Sequence, residues 1–223
     1  MIFVTGTGTD VGKTFVTAGL IRQFRRHGRQ VSAVKPVVTG FDPAAAQASD
    51  PGALLAALGR PINAEELDRL SPWRFAAPVA PDLAARRENR QLDYNALVDF
   101  SLRAIAAQKG VLLIEGIGGI MVPLDDRHTV LDWMTMLRLP LLLVTGSYVG
   151  AISHTLTALH VLARRNLDVA AVVVSESAGS AAPLDETIAT IARFADAIEV
   201  IGIPRLPPAA EHPAFEHLAK LVG

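Results

Sequence analysis

Near the amino terminus an apolar run, Ile2-Phe3-Val4-Thr5, breaks into Gly6-Thr7-Gly8-Thr9-Asp10-Val11-Gly12-Lys13-Thr14 and then into helix-like sequence. A strand that turns through glycines into a helix gathers free backbone N–H groups and the positive helix end around one point, which makes a cradle for oxyanions. A lysine at the end of such a loop reaches the outer phosphates of a nucleotide, and the hydroxyl after it suits Mg²⁺. The fold must therefore place a strand, this loop and a helix in succession at one edge of its ligand site.

Five residues separate Gly6 from Gly12, one more than the commonest form of this loop has. A dinucleotide cofactor is excluded on two grounds. No third glycine stands where that fingerprint needs one, and the next strand candidate ends in Lys35 where a ribose-binding acid belongs.

The rest of the chain repeats the same rhythm. Short β-branched or leucine-rich runs lie at Ile2–Thr5, Val31–Val38, Val111–Glu115, Leu141–Thr145, Ala170–Ser175 and Ile198–Ile203, most of them separated by helix-length segments. Helices are predicted near 13–27, 52–59, 92–109, 150–165, 184–195 and 213–221, while 40–91, rich in Pro, Ala and Asp, reads as an elaborated connection. This is the pattern of an α/β, P-loop NTPase-like domain, a mostly parallel sheet with helices on both faces, spanning 1–223 as one unit. Ligands of such sheets lie beyond the carboxyl ends of the strands.

Composition narrows the partners. Net charge is −1 with no long run of either sign, so neither a nucleic-acid surface nor membrane attachment is expected. Arg22, Arg25, Arg26 and Arg29 fall toward the end of the first helix, where cations complement its dipole. The absence of cysteine excludes a disulfide framework and a thiolate nucleophile. Met1 leads straight into the first strand and no apolar run reaches membrane-spanning length, so a cytoplasmic location is expected.

The strand ends nominate the chemistry. Glu115 closes the run Val111-Leu112-Leu113-Ile114, where P-loop enzymes set a carboxylate for Mg²⁺. Lys35 ends the second strand candidate beside the phosphate loop, placed either to stabilise a transferring phosphoryl group or to snorkel to solvent. Ser49-Asp50-Pro51 reads on spacing as a helix start with Asp50 as its N-cap. The Gly146–Ser153 stretch joins a strand to a helix and offers N–H groups to a second anion, as any such turn does. The six histidines show no metal-ligand spacing, and Trp73, Trp133 and Phe75 read as packing residues.

In order along the chain, the phosphate loop, Lys35-Pro36-Val37-Val38-Thr39-Gly40, Ser49-Asp50, Glu115-Gly116-Ile117-Gly118-Gly119, Val122-Pro123-Leu124 and Asp132-Trp133 resemble the dethiobiotin synthetase family nearly end to end. That family makes the ureido ring of the biotin precursor from 7,8-diaminopelargonate, CO₂ and ATP with Mg²⁺. The resemblance implies that Lys13 and Lys35 are catalytic, and that Asp10, Val11, Gly12, Lys13, Thr14 and Phe15 hold the nucleotide with Gly116, Ile117 and Gly118. It further implies that Ser175, Glu176, Pro204, Arg205, Leu206 and Glu211 hold the adenine and ribose, and that Thr14, Asp50 and Glu115 surround Mg²⁺. For Asp50 this replaces the helix-cap reading. Thr9 and Thr39 would touch the diamine, and Val149, Gly150, Ala151 and Ser153 would bind its carboxylate across a homodimer interface. Relatives often carry Asn at the position of Ser175. Two other classes stay open at this point: an ATP-switched partition or positioning protein of the ParA/MinD kind, and another amide-forming P-loop synthetase.

Overall fold

The computed structural model describes residues 1–207 and 209–223. Six parallel strands form the central sheet: β1 (Ile2–Gly6), β2 (Val31–Val34), β5 (Val111–Glu115), β6 (Leu141–Thr145), β7 (Val169–Ser175) and β8 (Val200–Ile203), in the order β2-β5-β1-β6-β7-β8. The chain first fills one side of β1 and then crosses to the other. That reversal opens a crevice at the carboxyl end of β1, where the phosphate loop lies.

Both faces of the sheet are covered, which explains why its strands read as unbroken apolar runs. Alternate residues enter opposite cores. Phe3, Leu112, Ile114, Leu141, Leu143, Val172 and Val174 pack beneath α5 (Tyr94–Ala107), α6 (Val130–Leu137), α7 (Ala151–Arg164) and α8 (Leu184–Ala192). Ile2, Val4, Val111, Leu113, Leu142, Val144 and Val173 pack beneath α1 (Lys13–Arg26), α2 (Asp50–Leu58) and α9 (Pro213–Val222). Trp133 is fully buried, edge-on to Phe3 at 4.7 Å between centroids, with its indole N–H donating to Ser101 Oγ at 3.1 Å.

Three expectations need correction. The run Val31–Val38 is not one strand. It breaks at Lys35-Pro36, because Pro36 has no N–H to give a ladder, and β3 (Val37–Val38) pairs instead with β4 (Trp73–Arg74) in a separate two-stranded sheet. The connection 40–91 is largely structured, with a 3₁₀ helix at Pro43–Ala48, α2, α3 (Ala64–Leu70), β4 and α4 (Pro81–Arg87). Asp50 is not an N-cap. Ser49 takes that role, its Oγ accepting from Gly52 N at 3.2 Å, and Asp50 becomes the first helical residue. The pattern of strands also gave no notice of α6, whose capping box joins Thr129 and Asp132.

Candidate active site

The phosphate loop bends because Gly12 adopts φ +98° and Asp10 φ +58°, both left-handed. Gly12 is doubly constrained: a Cβ there would lie 2.6 Å from Ser175 Oγ. α1 begins at Lys13 with no side-chain cap, so its first N–H groups remain available to an anion. The Glu115-Gly116-Ile117-Gly118-Gly119 segment closes against this loop. A Cβ on Gly119 would sit 3.0 Å from the carbonyl oxygen of Thr7.

Strand register builds the charged centre. Val34 is paired with Ile114, so the next residues along the parallel pair, Lys35 and Glu115, emerge side by side. Because Ile114 enters the core under α5, Glu115 points to the opposite face, where α1 carries Thr14. Lys35 is nearly as buried as Glu115, at 3% and 1% exposure. Its Nζ donates to Glu115 Oε1 at 2.5 Å and to Thr14 Oγ1 at 3.3 Å, and pairs with Asp50 Oδ2 at 2.6 Å. The Thr14 hydroxyl also donates to Glu115 Oε1, at 2.6 Å. Lys13 folds back onto its own loop, donating to Gly8 O at 2.6 Å.

Burial alone would depress the Lys35 pKa, but Glu115 and Asp50 outweigh it, and the value is raised so that the ammonium persists. Burial acts against the Asp50 anion too, yet the adjacent Lys35 ammonium holds its pKa below the usual carboxylate value. Lys13 differs. Desolvation, reinforced by the Lys35 charge, lowers it to about 8.

One polar atom in this centre is left over. Glu115 Oε2 is buried without a hydrogen-bond partner among the described residues, and a buried carboxylate oxygen costs free energy until something satisfies it. Two carboxylates and a hydroxyl with a free oxygen fit Mg²⁺, which is bound by one or two carboxylates together with waters and substrate phosphates. No group of three or more His, Cys, Asp or Glu that could hold a metal ion gathers anywhere among the described residues, so phosphates and waters would have to complete the coordination here.

Two clefts open from the loop. One, of about 450 Å³, is lined by Thr9, Asp10, Gly12, Lys13, Thr14, Phe15, Lys35, Thr39, Asp50, Ile117 and Gly118. The other, of about 440 Å³, is bounded by Asp10, Val11, Gly12, Phe15, Ser175, Glu176, Pro204, Arg205 and Leu206, with the Glu176 carboxylate accepting from Arg205 N at 2.8 Å. Glu211 lines neither cleft. It pairs with Arg26 in the last turn of α1. The turn of Val149, Gly150, Ala151 and Ser153 begins α7 uncapped, with Gly150 at φ +98° and Val149 84% exposed.

Several positioning residues carried no sequence signal. Ser71 Oγ donates to Lys35 O at 2.6 Å and Lys35 N donates to Leu70 O at 3.0 Å, so the fully buried Ser71 and its neighbour grip the lysine's backbone from both sides. Ser147 and Ser177 exchange hydrogen bonds, Ser147 N to Ser177 Oγ at 3.1 Å and Ser177 N to Ser147 Oγ at 3.0 Å, stitching the turn before α7 to the loop after β7. Thr7, Thr145 and Thr155 form a hydroxyl chain at 3.0 and 2.9 Å between the phosphate loop and α7. Nothing in the sequence marks these hydroxyls out from the other Ser and Thr residues around them, and only the three-dimensional pairing distinguishes them.

A family model described as an AAA domain matches residues 1–212. The solved cell division ATPase MinD of Pyrococcus furiosus superposes with a TM-score of 0.57 at 16% identity, covering 99% of this chain and 97% of that one. A chain of the MinC:MinD cell division protein complex of Aquifex aeolicus gives 0.54 at 13% identity, covering 98% of this chain and 85% of that one. These likenesses establish the P-loop architecture. The ATP-dependent dethiobiotin synthetase BioD of Phenylobacterium zucineum is 51% identical over 205 residues, 91% of this chain and 88% of the relative. Its counterpart from Methylobacterium nodulans is 49% identical over 210 residues, 92% of each. With the phosphate loop and Lys35 lining one cleft and Glu115 bonded to Lys35 beneath it, that likeness settles the question of kinship: the chain belongs to the ATP-dependent dethiobiotin synthetase family.

Proposed function

We propose that this chain is a cyclo-ligase that closes the ureido ring of dethiobiotin from 7,8-diaminopelargonate and CO₂, converting ATP to ADP and phosphate. One amine of the diamine captures CO₂ as a carbamate. A carbamate oxygen then attacks the γ-phosphorus and ADP leaves, giving a carbamic–phosphoric anhydride. The second amine attacks the carbonyl carbon, phosphate departs and the ring is closed.

One observation carries this reading. Lys35, from the end of β2, and Lys13, from the start of α1, open on the same cleft, so two cations can bear on one terminal phosphoryl group. Phosphoryl transfer needs little covalent machinery and gains mostly from positioning and charge stabilisation. Lys13 and the loop N–H groups would hold the phosphates, and Lys35 would neutralise charge developing on the transferred group. Bound between Thr14, Asp50 and Glu115, Mg²⁺ would supply further neutralisation of the phosphate oxygens.

Thr9 and Thr39 would orient the diamine, and the uncapped start of α7 would receive its carboxylate. We assign that turn to the substrate of a partner protomer, because Val149 is too exposed to be explained by packing within one chain. A homodimer is therefore part of the proposal, as is a cytoplasmic location. The substrate's alkyl chain would contribute roughly 0.8 kcal/mol per buried CH₂, while the carboxylate fixes its orientation.

Incubation of the purified protein with ATP, Mg²⁺, bicarbonate and the diamine tests the reading. A product whose mass equals diamine plus CO₂ less water, formed one-to-one with ADP and phosphate, is expected. ATP hydrolysis without that product would favour a nucleotide-switched protein. A different acylated product would favour another amide-forming synthetase.

A further inference from the structure

The oxygens assigned to Mg²⁺ already hold a cation. Lys35 Nζ lies 2.5 Å from Glu115 Oε1, 2.6 Å from Asp50 Oδ2 and 3.3 Å from Thr14 Oγ1. An ammonium has three protons to donate, and here three oxygens from three separate elements receive them. The lysine's backbone cannot give way, because Leu70 and Ser71 hold its N–H and carbonyl. Only the four-carbon side chain is free to swing.

We propose that Lys35 plugs the metal site: while no nucleotide is bound, its ammonium occupies the space between Thr14, Asp50 and Glu115 and excludes free divalent cations, so the metal enters only together with nucleotide phosphates. The proposal rests on the reading of Thr14, Asp50 and Glu115 as the metal ligands. Its physical basis is charge. Two carboxylates less one ammonium leave a single net negative charge to attract a dication, with a positive charge in contact with both acids and the Lys13 ammonium near by. Mg²⁺ sheds its waters reluctantly and seldom binds through two carboxylates without phosphates. A nucleoside triphosphate supplies what is missing. Its charge makes up the metal's coordination and also gives Lys35 a better partner farther out in the cleft, so expulsion of the plug and placement of the reacting lysine become one motion. Glu115 Oε2, buried and unpartnered, is the acceptor this exchange leaves ready.

Mn²⁺ titrated into the nucleotide-free protein, with the free ion followed by electron paramagnetic resonance, tests the plug in the wild type and in Lys35→Met and Lys35→Gln. Both variants should bind one Mn²⁺ at least about 100-fold more tightly than the wild type, the size expected from removing a unit charge a few ångströms from a dication. Adding Glu115→Gln to either variant should abolish the gained site. Mg²⁺ without nucleotide should raise the melting temperature of the variants and leave that of the wild type unmoved.

The wild type loaded with a non-hydrolysable ATP analogue is the control. One Mn²⁺ bound there and lost in Glu115→Gln supports the ligand set, and variants that then bind free Mn²⁺ within about threefold of the wild type overturn the plug alone. No Mn²⁺ in the loaded protein overturns the plug and the ligand assignment together. Should the variants fail to fold, the wild type still decides. Nucleotide-free binding as tight as in the loaded protein, at a site sensitive to Glu115→Gln, overturns the proposal.

Discussion

The two clefts that open from the phosphate loop are built on different principles. On the phosphate side, Lys13, Lys35, Asp50, Thr14 and Glu115 are drawn from three helices and strands and from the residue after β2, and they satisfy one another almost completely. On the nucleoside side, Ser175, Glu176, Pro204, Arg205 and Leu206 line an open cleft without a comparable knot of charge, and the Glu176 carboxylate already serves the N–H of Arg205. Charge concentrated around the buried Lys35 and Glu115 makes residues on the first side costly to lose. Shape and main chain make the second side tolerant.

The largest expected effect therefore lies at Lys35. Lys35→Ala should lower kcat by on the order of 10²–10³ or more, as loss of one preorganised cation does, while changing the KM for ATP far less. Its circular dichroism should stay that of the native fold. Lys35 and Glu115 form a buried ion pair, and removing one partner of such a pair costs about 3–5 kcal/mol, so the variant should melt earlier in the absence of Mg²⁺. Near-normal turnover would remove the distinction between the two clefts.

Gly12 stands between them. Gly12→Ala should destabilise the protein by about 2–3 kcal/mol, since Ala pays a left-handed backbone penalty and its Cβ meets Ser175 Oγ at 2.6 Å. Adding Ser175→Gly should recover the steric part and leave about 1 kcal/mol of backbone strain. Chemical denaturation of the two variants separates these contributions. No recovery in the double variant would mean that the loop does not lean on Ser175.

The third effect is a pH dependence confined to one cleft. Burial, with Lys35 beside it, sets the Lys13 pKa at about 8 in the nucleotide-free protein. Phosphates favour the ammonium, so the bound form holds its proton to higher pH. Below pH 8 the lysine is charged in both states and affinity is flat. Above it, binding must take up a proton, and triphosphate affinity should fall toward about tenfold per pH unit until the raised pKa of the complex is passed. Calorimetry with a non-hydrolysable ATP analogue should show that fall and the proton uptake. Adenosine, which engages only the nucleoside side, should show neither.

Legibility from sequence follows the same division. The phosphate loop, Lys35 and Glu115 could be read because their chemistry demands particular residue types at strand ends, and continuous apolar runs mark where those ends lie. Asp50 could not be placed from spacing, because Ser49-Asp50-Pro51 satisfies helix capping equally well with either polar residue at the cap. The structure decides it: Ser49 caps, and Asp50 is turned toward Lys35. Ser71, Ser147 and Ser177 were invisible, since a single hydroxyl acquires its role only from a partner distant in the chain. Within the 40–91 connection the helix near 52–59 could be read, but α3 and α4 could not, for a related reason. Helices of seven residues such as α3 and α4 have too few turns to show a period.

The smallest expected effect tests the nucleoside side from within. Ser175 ends β7 with its hydroxyl turned toward the phosphate loop, so close to Gly12 that a larger side chain cannot follow the same direction. In Ser175→Asn the amide would have to turn away from Gly12 and into the cleft, where it offers a donor and an acceptor to a base edge at once. One such hydrogen bond is worth about 0.5–1.5 kcal/mol net, so kcat/KM for ATP over that for GTP should rise by at most about tenfold. Ser175→Ala should shift the same ratio by less than about threefold, because little is there to lose. A ratio that does not move with Asn would mean that main chain alone reads the base. A ratio that collapses with Ala would mean that a single hydroxyl reads it, and the tolerance assigned to this side of the loop would be wrong.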